Sequence, residues 1–248
     1  QEFGADTKVS TVKMDLAVLE SVRAAAAEVL KVAHRIDAVI CNAAIAQVAK
    51  QQLTVDGFES QLGVNHYAHF LLCGLLFERV EQSEGRFVMV SSGGYKMGLK
   101  KIQFEDLNFD RNYNPMNAYC QSKLAQTIFG YELQRRCEVS GKKVQSHVCH
   151  PGASDTDLVK DDVPCFTKYL FVCLAPLIAQ SAELGSYPEV MCATEDGLKS
   201  STYYGPTGRM EFTGPVGECL LEGHALDAGA AKKLWAVSEE KTGLSWSP

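Results

Sequence analysis

The nine cysteines include no CxxC pair, and their number is odd and their spacing scattered. That pattern excludes an evident disulfide framework or structural zinc site and fits reduced, mostly buried thiols. There is no Lys/Arg-rich run, and the net charge is −6. A mildly acidic chain has no electrostatic reason to seek nucleic acid or anionic lipid. The amino terminus, Gln1-Glu2-Phe3-Gly4-Ala5-Asp6, has no signal-peptide core. The longest apolar run, Tyr169 to Ala179, is broken at Pro176 and is too short to span a membrane. It reads as a buried or substrate-covering helix, with membrane contact as the alternative. These absences point to a cytoplasmic protein, with peripheral membrane association as the other option.

The chain has 248 residues, 46% hydrophobic and 22% charged, enough for one α/β domain over residues 1–248. Short apolar runs alternate with helical patterns. The runs predict strands over Val9–Met14, Ile36–Cys41, Phe87–Val90, Val144–Cys149 and Ser201–Tyr204. The helical patterns cover Leu19–Ala33, Gly57–Gln82, Asn117–Val139, Ser181–Ala193 and Asp227–Lys241. Such alternation predicts βαβ units, hence a doubly wound parallel sheet of Rossmann type with helices on both faces. Ligands bind such sheets at the carboxyl ends of the strands. The residues expected there are Asp15, Asn42-Ala43-Ala44, Ser91-Ser92 and Pro151-Gly152.

Tyr119-Cys120-Gln121-Ser122-Lys123 places a phenol and an ammonium on one helix face, because residues i and i+4 are neighbours there. A free phenol has a pKa of about 10 and is a poor acid or base near neutrality; a nearby cation favours the phenolate. The tuned group could pass a proton to or from a carbonyl or alcohol oxygen. A hydroxyl such as that of Ser92 could stabilise charge on the same oxygen. A Tyr-x-x-x-Lys pair alone is a weak signal, since about one is expected by chance in a chain of this composition.

Order along the chain strengthens it. Asn42-Ala43-Ala44 follows one strand, Asn65 lies in the next helix, and Ser91-Ser92 closes the next strand. Tyr119 and Lys123 share the helix after that, and Pro151-Gly152 ends the following strand. From about Val9 to Gly243 the chain resembles the short-chain dehydrogenase/reductase superfamily. The strings Asp56-Gly57-Phe58-Glu59, Leu62-Gly63-Val64-Asn65-His66-Tyr67-Ala68-His69-Phe70 and His150-Pro151-Gly152 are similar to its retinol-dehydrogenase-like branch. The resemblance implies an oxidoreductase that moves a hydride between NADP or NAD, NADP slightly favoured, and a small-molecule carbonyl or alcohol. It implies Tyr119 as proton donor or acceptor, and Lys123 as the group that lowers its pKa and holds the nicotinamide ribose. Ser92 would orient the substrate oxygen, and Asn65 would hold a water linking Lys123 to solvent. Asp15 and Leu16 would sit by the adenine, and Asn42, Ala43 and Ala44 would line the cofactor cleft. Pro151, Gly152 and Thr156 would approach the nicotinamide end. The family also implies a monomer or a homodimer.

Three features depart from the family. Cys41-Asn42-Ala43-Ala44 stands where Asn-Asn-Ala-Gly is usual, although light-dependent protochlorophyllide reductases carry a similar string. A long polar insertion with Asp106, Asp110, Asn112 and Pro115 separates Ser92 from Tyr119, as in the retinol-dehydrogenase-like branch. The glycine-rich turn that cradles the cofactor pyrophosphate has no counterpart, so the first strand-helix-strand unit is expected to lie upstream of this chain. Its omission would expose backbone groups and apolar faces on the neighbouring strand. The competing reading is an inactive fragment, or a non-catalytic binding or regulatory relative. No metal is expected: His66 and His69 lack a third ligand at useful spacing. Apolar residues after Thr156 (Leu158, Phe166, Tyr169, Leu170, Phe171 and Leu174) suggest a retinoid-, steroid- or aromatic-carbonyl-like substrate.

Overall fold

Short runs rich in Val, Phe and Tyr form the strands, because β-branched and aromatic side chains suit a pleated surface covered on both sides. The computed structural model describes residues 8–153 and 180–248. Within them β1 (Ala38–Cys41), β2 (Arg86–Val90), β3 (Gln145–Cys149), β4 (Tyr203–Pro206) and β5 (Val216–Cys219) lie side by side in that order. The first four are parallel, and β5 is antiparallel to β4. Cys41 is level with Met89, and Val90 with Cys149. The carboxyl ends of β1, β2 and β3 therefore open on one edge.

Among the described residues six α-helices accompany the sheet: α1 (Leu19–Val32), α2 (Ser60–Leu62), α3 (Ala68–Gln82), α4 (Pro115–Val139), α5 (Ala182–Thr194) and α6 (Ala228–Thr242). A π-helical turn, Gly63–Tyr67, joins α2 to α3. Side chains at the helix starts accept from orphan amides. Glu59 accepts from Gln61 and Leu62, Asn114 from Asn117, Ser181 from Leu184, and Asp227 from Gly229 and Ala230. Pro115 sits in the first turn of α4, where its missing N–H costs no bond.

Helices α3 and α4 cover one face of the sheet, with α1 packed on α3 and α6 on α4. Their core joins Val39, Phe87, Met89, Val148 and Tyr203 of the sheet to Phe70, Leu124 and Ile128. Trp235 and Trp246 close it against Phe70, with ring centroids 5.1 and 5.5 Å from that ring. Among the described residues, α5 alone covers the other face, over a smaller core of Val88, Val90, Cys149, Tyr204 and Cys192. Gly130 lets α4 approach the sheet closely: a Cβ there would meet Val148 Cγ2 at 2.6 Å and Met89 Cγ at 3.0 Å.

Three differences from the sequence reading have local causes. Val9–Met14 forms no strand, because a strand needs a neighbour to pair its N–H and C=O groups and no strand among the described residues pairs with it. Among the described residues the outer edge of β1 is likewise unpaired, and Ile40 on it is 44% exposed. The helix expected from Gly57 starts at Ser60, after a turn in which Gly57 has φ +83°. Strand β5 lies in a Gly- and Pro-punctuated stretch whose periodicity did not reveal it. The apolar segment after Thr156 and Thr156 itself fall outside the described residues.

Candidate active site

The carboxyl edge of the sheet brings four of the expected residues into one neighbourhood. Ser92 follows β2 in an extended conformation and caps a single 3-10 turn, Gly93–Lys96, by accepting from the Gly94 amide at 3.1 Å. The Ser92 hydroxyl and the Tyr119 ring both flank Gly94: a Cβ there would lie 3.4 Å from Ser92 Oγ and 3.1 Å from Tyr119 Cε1. Tyr119 is only 7% exposed. Burial raises its pKa above that of a free phenol, and the nearby Ser92 hydroxyl partly opposes the shift. The phenol is thus protonated at neutral pH in this structure.

Lys123 is one helical turn along α4 and is buried. Its Nζ donates to the Val90 carbonyl at 2.9 Å and to Gln126 Oε1 at 3.1 Å. Burial pushes its pKa down to about 8, against the attraction of Cys149, Glu189 and Cys41. The ammonium therefore faces the strand end, and burial rather than Lys123 governs the phenol. An ammonium has three donors. Two are used by acceptors among the described residues, which leaves one N–H without an acceptor among them.

Asn65 sits inside the π-helical turn, fully buried. Its Oδ1 accepts from the Ile45 amide, and its Nδ2 donates to the Ile45 carbonyl and to Ser122 Oγ, each at 2.9 Å. This side chain ties the loop after β1 to α4. Single π-turns widen a helix and are frequent at functional sites.

Asn42 and Ala43 are exposed and Ala44 is half-buried, at the open end of β1. Asp15 accepts from the Ala17 amide at 2.9 Å in the turn before α1, and Leu16 packs against Leu19, Val22, Ala68 and Leu71. Gly152 has φ +70°, a conformation that favours glycine. A Cβ there would also collide with the Phe212 carbonyl. Pro151 O accepts from Gln180 Nε2 at 2.8 Å.

The sequence reading missed Gln126. It lies three residues after Lys123 on the same helical face, and that spacing was the available signal. Its Nε2 donates to the Cys41 carbonyl at 3.1 Å and lies 3.2 Å from His69 Nδ1. A second missed support is the contact between Ser91 Oγ and Thr127 Oγ1 at 2.6 Å, which holds α4 to the end of β2. His66 and His69 have separate partners: His66 Nε2 lies 2.7 Å from Ser238 Oγ, and His69 Nδ1 lies 3.1 Å from the Asn65 carbonyl. They act as packing residues.

A cleft of about 910 Å³ opens at the other end of the strands, between Asp37, Gly85, Arg86 and Asp196. Its charges are already paired, Arg35 with Asp37 and Arg86 with Asp196. The chemistry-bearing groups are at the opposite edge. Among the described residues no helix is long and apolar enough to cross a membrane.

Residues 1–104 match the family model described as short chain dehydrogenase. Retinol dehydrogenase 14 of Homo sapiens is 38% identical over 234 residues, covering 94% of this chain and 66% of that protein. Retinol dehydrogenase 12 of Homo sapiens is 35% identical over 252 residues, covering 99% of this chain and 74% of that protein. The chain thus spans roughly two thirds to three quarters of these relatives. A crystal structure of an uncharacterized protein from Mycobacterium Paratuberculosis superposes with a TM-score of 0.75 at 36% identity, over 95% of this chain and 76% of that one.

Proposed function

The chain belongs to the short-chain dehydrogenase/reductase family of nicotinamide-dependent oxidoreductases, on its retinol-dehydrogenase-like branch, and from that premise we propose that it interconverts an apolar carbonyl compound and its alcohol. The observation that carries this reading is the meeting of the Ser92 hydroxyl and the Tyr119 ring around Gly94 at the carboxyl edge of the sheet, one helical turn from the buried Lys123.

Tyr119 is placed to give its proton to a carbonyl oxygen, and Ser92 to hydrogen-bond the same oxygen as charge develops on it. A phenol kept protonated by burial suits the reduction direction. The spare N–H of Lys123 is a buried donor that fits a ribose hydroxyl, so Lys123 and the exposed Asn42 and Ala43 would hold the nicotinamide half of the cofactor. That cofactor supplies the hydride when bound. As the alcohol oxygen leaves with the proton of Tyr119, the phenol would be reprotonated by way of the Lys123 ammonium, while the Asn65 amide, whose two N–H groups are taken by Ile45 and Ser122, holds the loop after β1 to α4.

NADP is favoured over NAD by the family resemblance. An apolar substrate is supported by exposed apolar side chains near the site: Met97 and Leu99 after the Ser92 turn, and Phe212, whose carbonyl lies against Gly152. Calorimetric titration of the full-length protein with NADPH and NADH tests the reading. Micromolar binding of either is expected, with Tyr119→Phe retaining it and losing turnover at least a hundredfold. No binding of either cofactor would instead favour a non-catalytic relative, and turnover unchanged in Tyr119→Phe would remove Tyr119 as the proton donor.

A further inference from the structure

A half-buried ion-pair cluster adjoins the site and belongs to none of the roles above. Glu211 lies in a short 3-10 turn, Arg209–Glu211, in the loop between β4 and β5. Its Oε2 accepts from Lys96 Nζ at 2.5 Å and its Oε1 accepts from the Leu220 amide at 2.9 Å. His150 Nε2 is buried, has no hydrogen-bond partner among the described residues, and lies 3.9 Å from Glu211 Oε2. The His150 ring is stacked on Tyr203, with centroids 4.7 Å apart and planes 11° from parallel.

His150, Glu211 and Cys219 offer atoms within 4.8 Å of one another, a grouping that invites a metal. The hydrogen bonds argue otherwise. The Gly152 amide donates to His150 Nδ1 at 3.2 Å, which puts the proton of the neutral ring on Nε2, the nitrogen that faces the cluster. A metal needs that nitrogen free of its proton. Lys96 already neutralises the carboxylate. Cys219 Sγ points its proton at the Pro206 carbonyl, 3.5 Å away.

The cluster instead connects three segments. Lys96 closes the turn that Ser92 caps. His150 begins the Pro151–Gly152 turn. The loop of Glu211 reaches the same turn again, because the Ala153 amide donates to the Phe212 carbonyl at 2.9 Å. Met210 and Glu211 have φ of 57° and 58°, left-handed values unfavourable for side-chain-bearing residues. The loop keeps that shape because its contacts hold it.

We propose that Glu211 is a positioning residue that locks the Ser92 turn to the Pro151–Gly152 turn, through Lys96 on one side and, on the other, through the carbonyl of the next residue, Phe212, which accepts from the Ala153 amide. Resting on the oxidoreductase reading, the lock aligns the substrate oxygen at Ser92 with the nicotinamide end of the cofactor.

Hydrogen-exchange mass spectrometry on the full-length protein reads the lock without any need for activity. In Glu211→Gln, exchange should quicken together in segments 93–97 and 150–153, while the core of α4 stays protected. Lys96→Met should do the same, and Lys96→Arg should restore protection. Faster exchange confined to the loop around Glu211 would overturn the proposal; it would mean that Tyr95, whose hydroxyl donates to the Leu220 carbonyl, already anchors the Ser92 turn alone. In parallel, kcat should fall roughly tenfold to a hundredfold in Glu211→Gln, the scale of a small misalignment of reacting groups, while cofactor Kd changes little. Unchanged kcat in an active wild-type background would also sink the idea. An inactive wild type would count against the oxidoreductase reading only, and the exchange experiment would still decide the lock.

Discussion

The two faces of the sheet differ in how they are covered. Under α3 and α4 the sheet residues Val39, Phe87, Met89 and Val148 meet a continuous aromatic and aliphatic layer, and α4 is buried without a break from Ala118 to Gln134. Under α5 the core is small, Ile40 is 44% exposed, and Leu184, Tyr187 and Val190 on the helix are 47%, 44% and 51% exposed. The site draws on the dense face. Tyr119, Lys123 and Gln126 ride on α4, and Asn65 on the turn before α3. Groups that must hold hydrogen-bond geometry gain from a helix that cannot shift, because close-packed interiors have few alternative arrangements.

The largest expected effect on this contrast comes from the dense core. Phe87→Ala should cost about 3–5 kcal/mol by denaturant unfolding, as the loss of a fully buried aromatic ring usually does. A cost below that range would mean that the α3/α4 face can collapse around a void. Next is Gly130→Ala, which forces a methyl between α4 and the sheet. About 1–3 kcal/mol of destabilisation is expected, together with loss of turnover as Tyr119 and Lys123 are displaced. Normal stability and turnover would show that α4 moves freely.

Acid should expose the same asymmetry. Burial holds His66 down to about 3 and His69 to about 4, both between α3 and its neighbours; His147, on the thin face, is held to about 4, and His150 also to about 4. Each of these rings stays neutral in the fold at pH values where the unfolded chain, near 6.5, has taken up a proton. Their contribution is therefore complete above about pH 6.5 and is lost as pH falls toward 4. Melting temperature followed from pH 7.5 to 4.5 should decline, and the decline should be shallower in His66→Gln/His69→Gln than in His147→Gln. Equal slopes would place the titrating burden elsewhere. The smallest effect belongs to the open edge. Ile40→Thr should change stability by no more than about 0.5 kcal/mol, the usual range for an exposed position. A larger loss in the full-length protein would show that Ile40 is covered there.

Much of the helical scaffold was legible. The Ala-rich run before Val32, the pattern to Gln82 and the long helix bearing Tyr119 were recovered within a few residues; the first two bury only part of their surface, whereas the third is long, capped at Asn114 and buried nearly all round. Asn114, Ser181 and Asp227 mark helix starts by their chemistry. Two strands were misjudged for opposite reasons. Val9–Met14 has strand composition but no partner, and Val216–Cys219 has a partner but little strand composition. Pairing, which propensity does not report, decided both. At the site, Tyr119 and Lys123 could be placed on one face by spacing. That Lys123 turns to Val90 and Gln126 could not, nor could the burial that keeps the phenol protonated.

By itself the sequence determined the α/β alternation, the family and the order of the site residues, because helical and strand periodicities are local and the motifs follow one another along the chain. Only the tertiary structure decided which polar atoms meet. Ser92 and Tyr119 lie on either side of a long insertion, Asn65 reaches Ile45 and Ser122, and Glu211 reaches Lys96 from the far end of the sheet. Hydrogen bonds need partners placed to within a few tenths of an ångström, and that placement comes from how strands and helices pack rather than from any spacing along the chain.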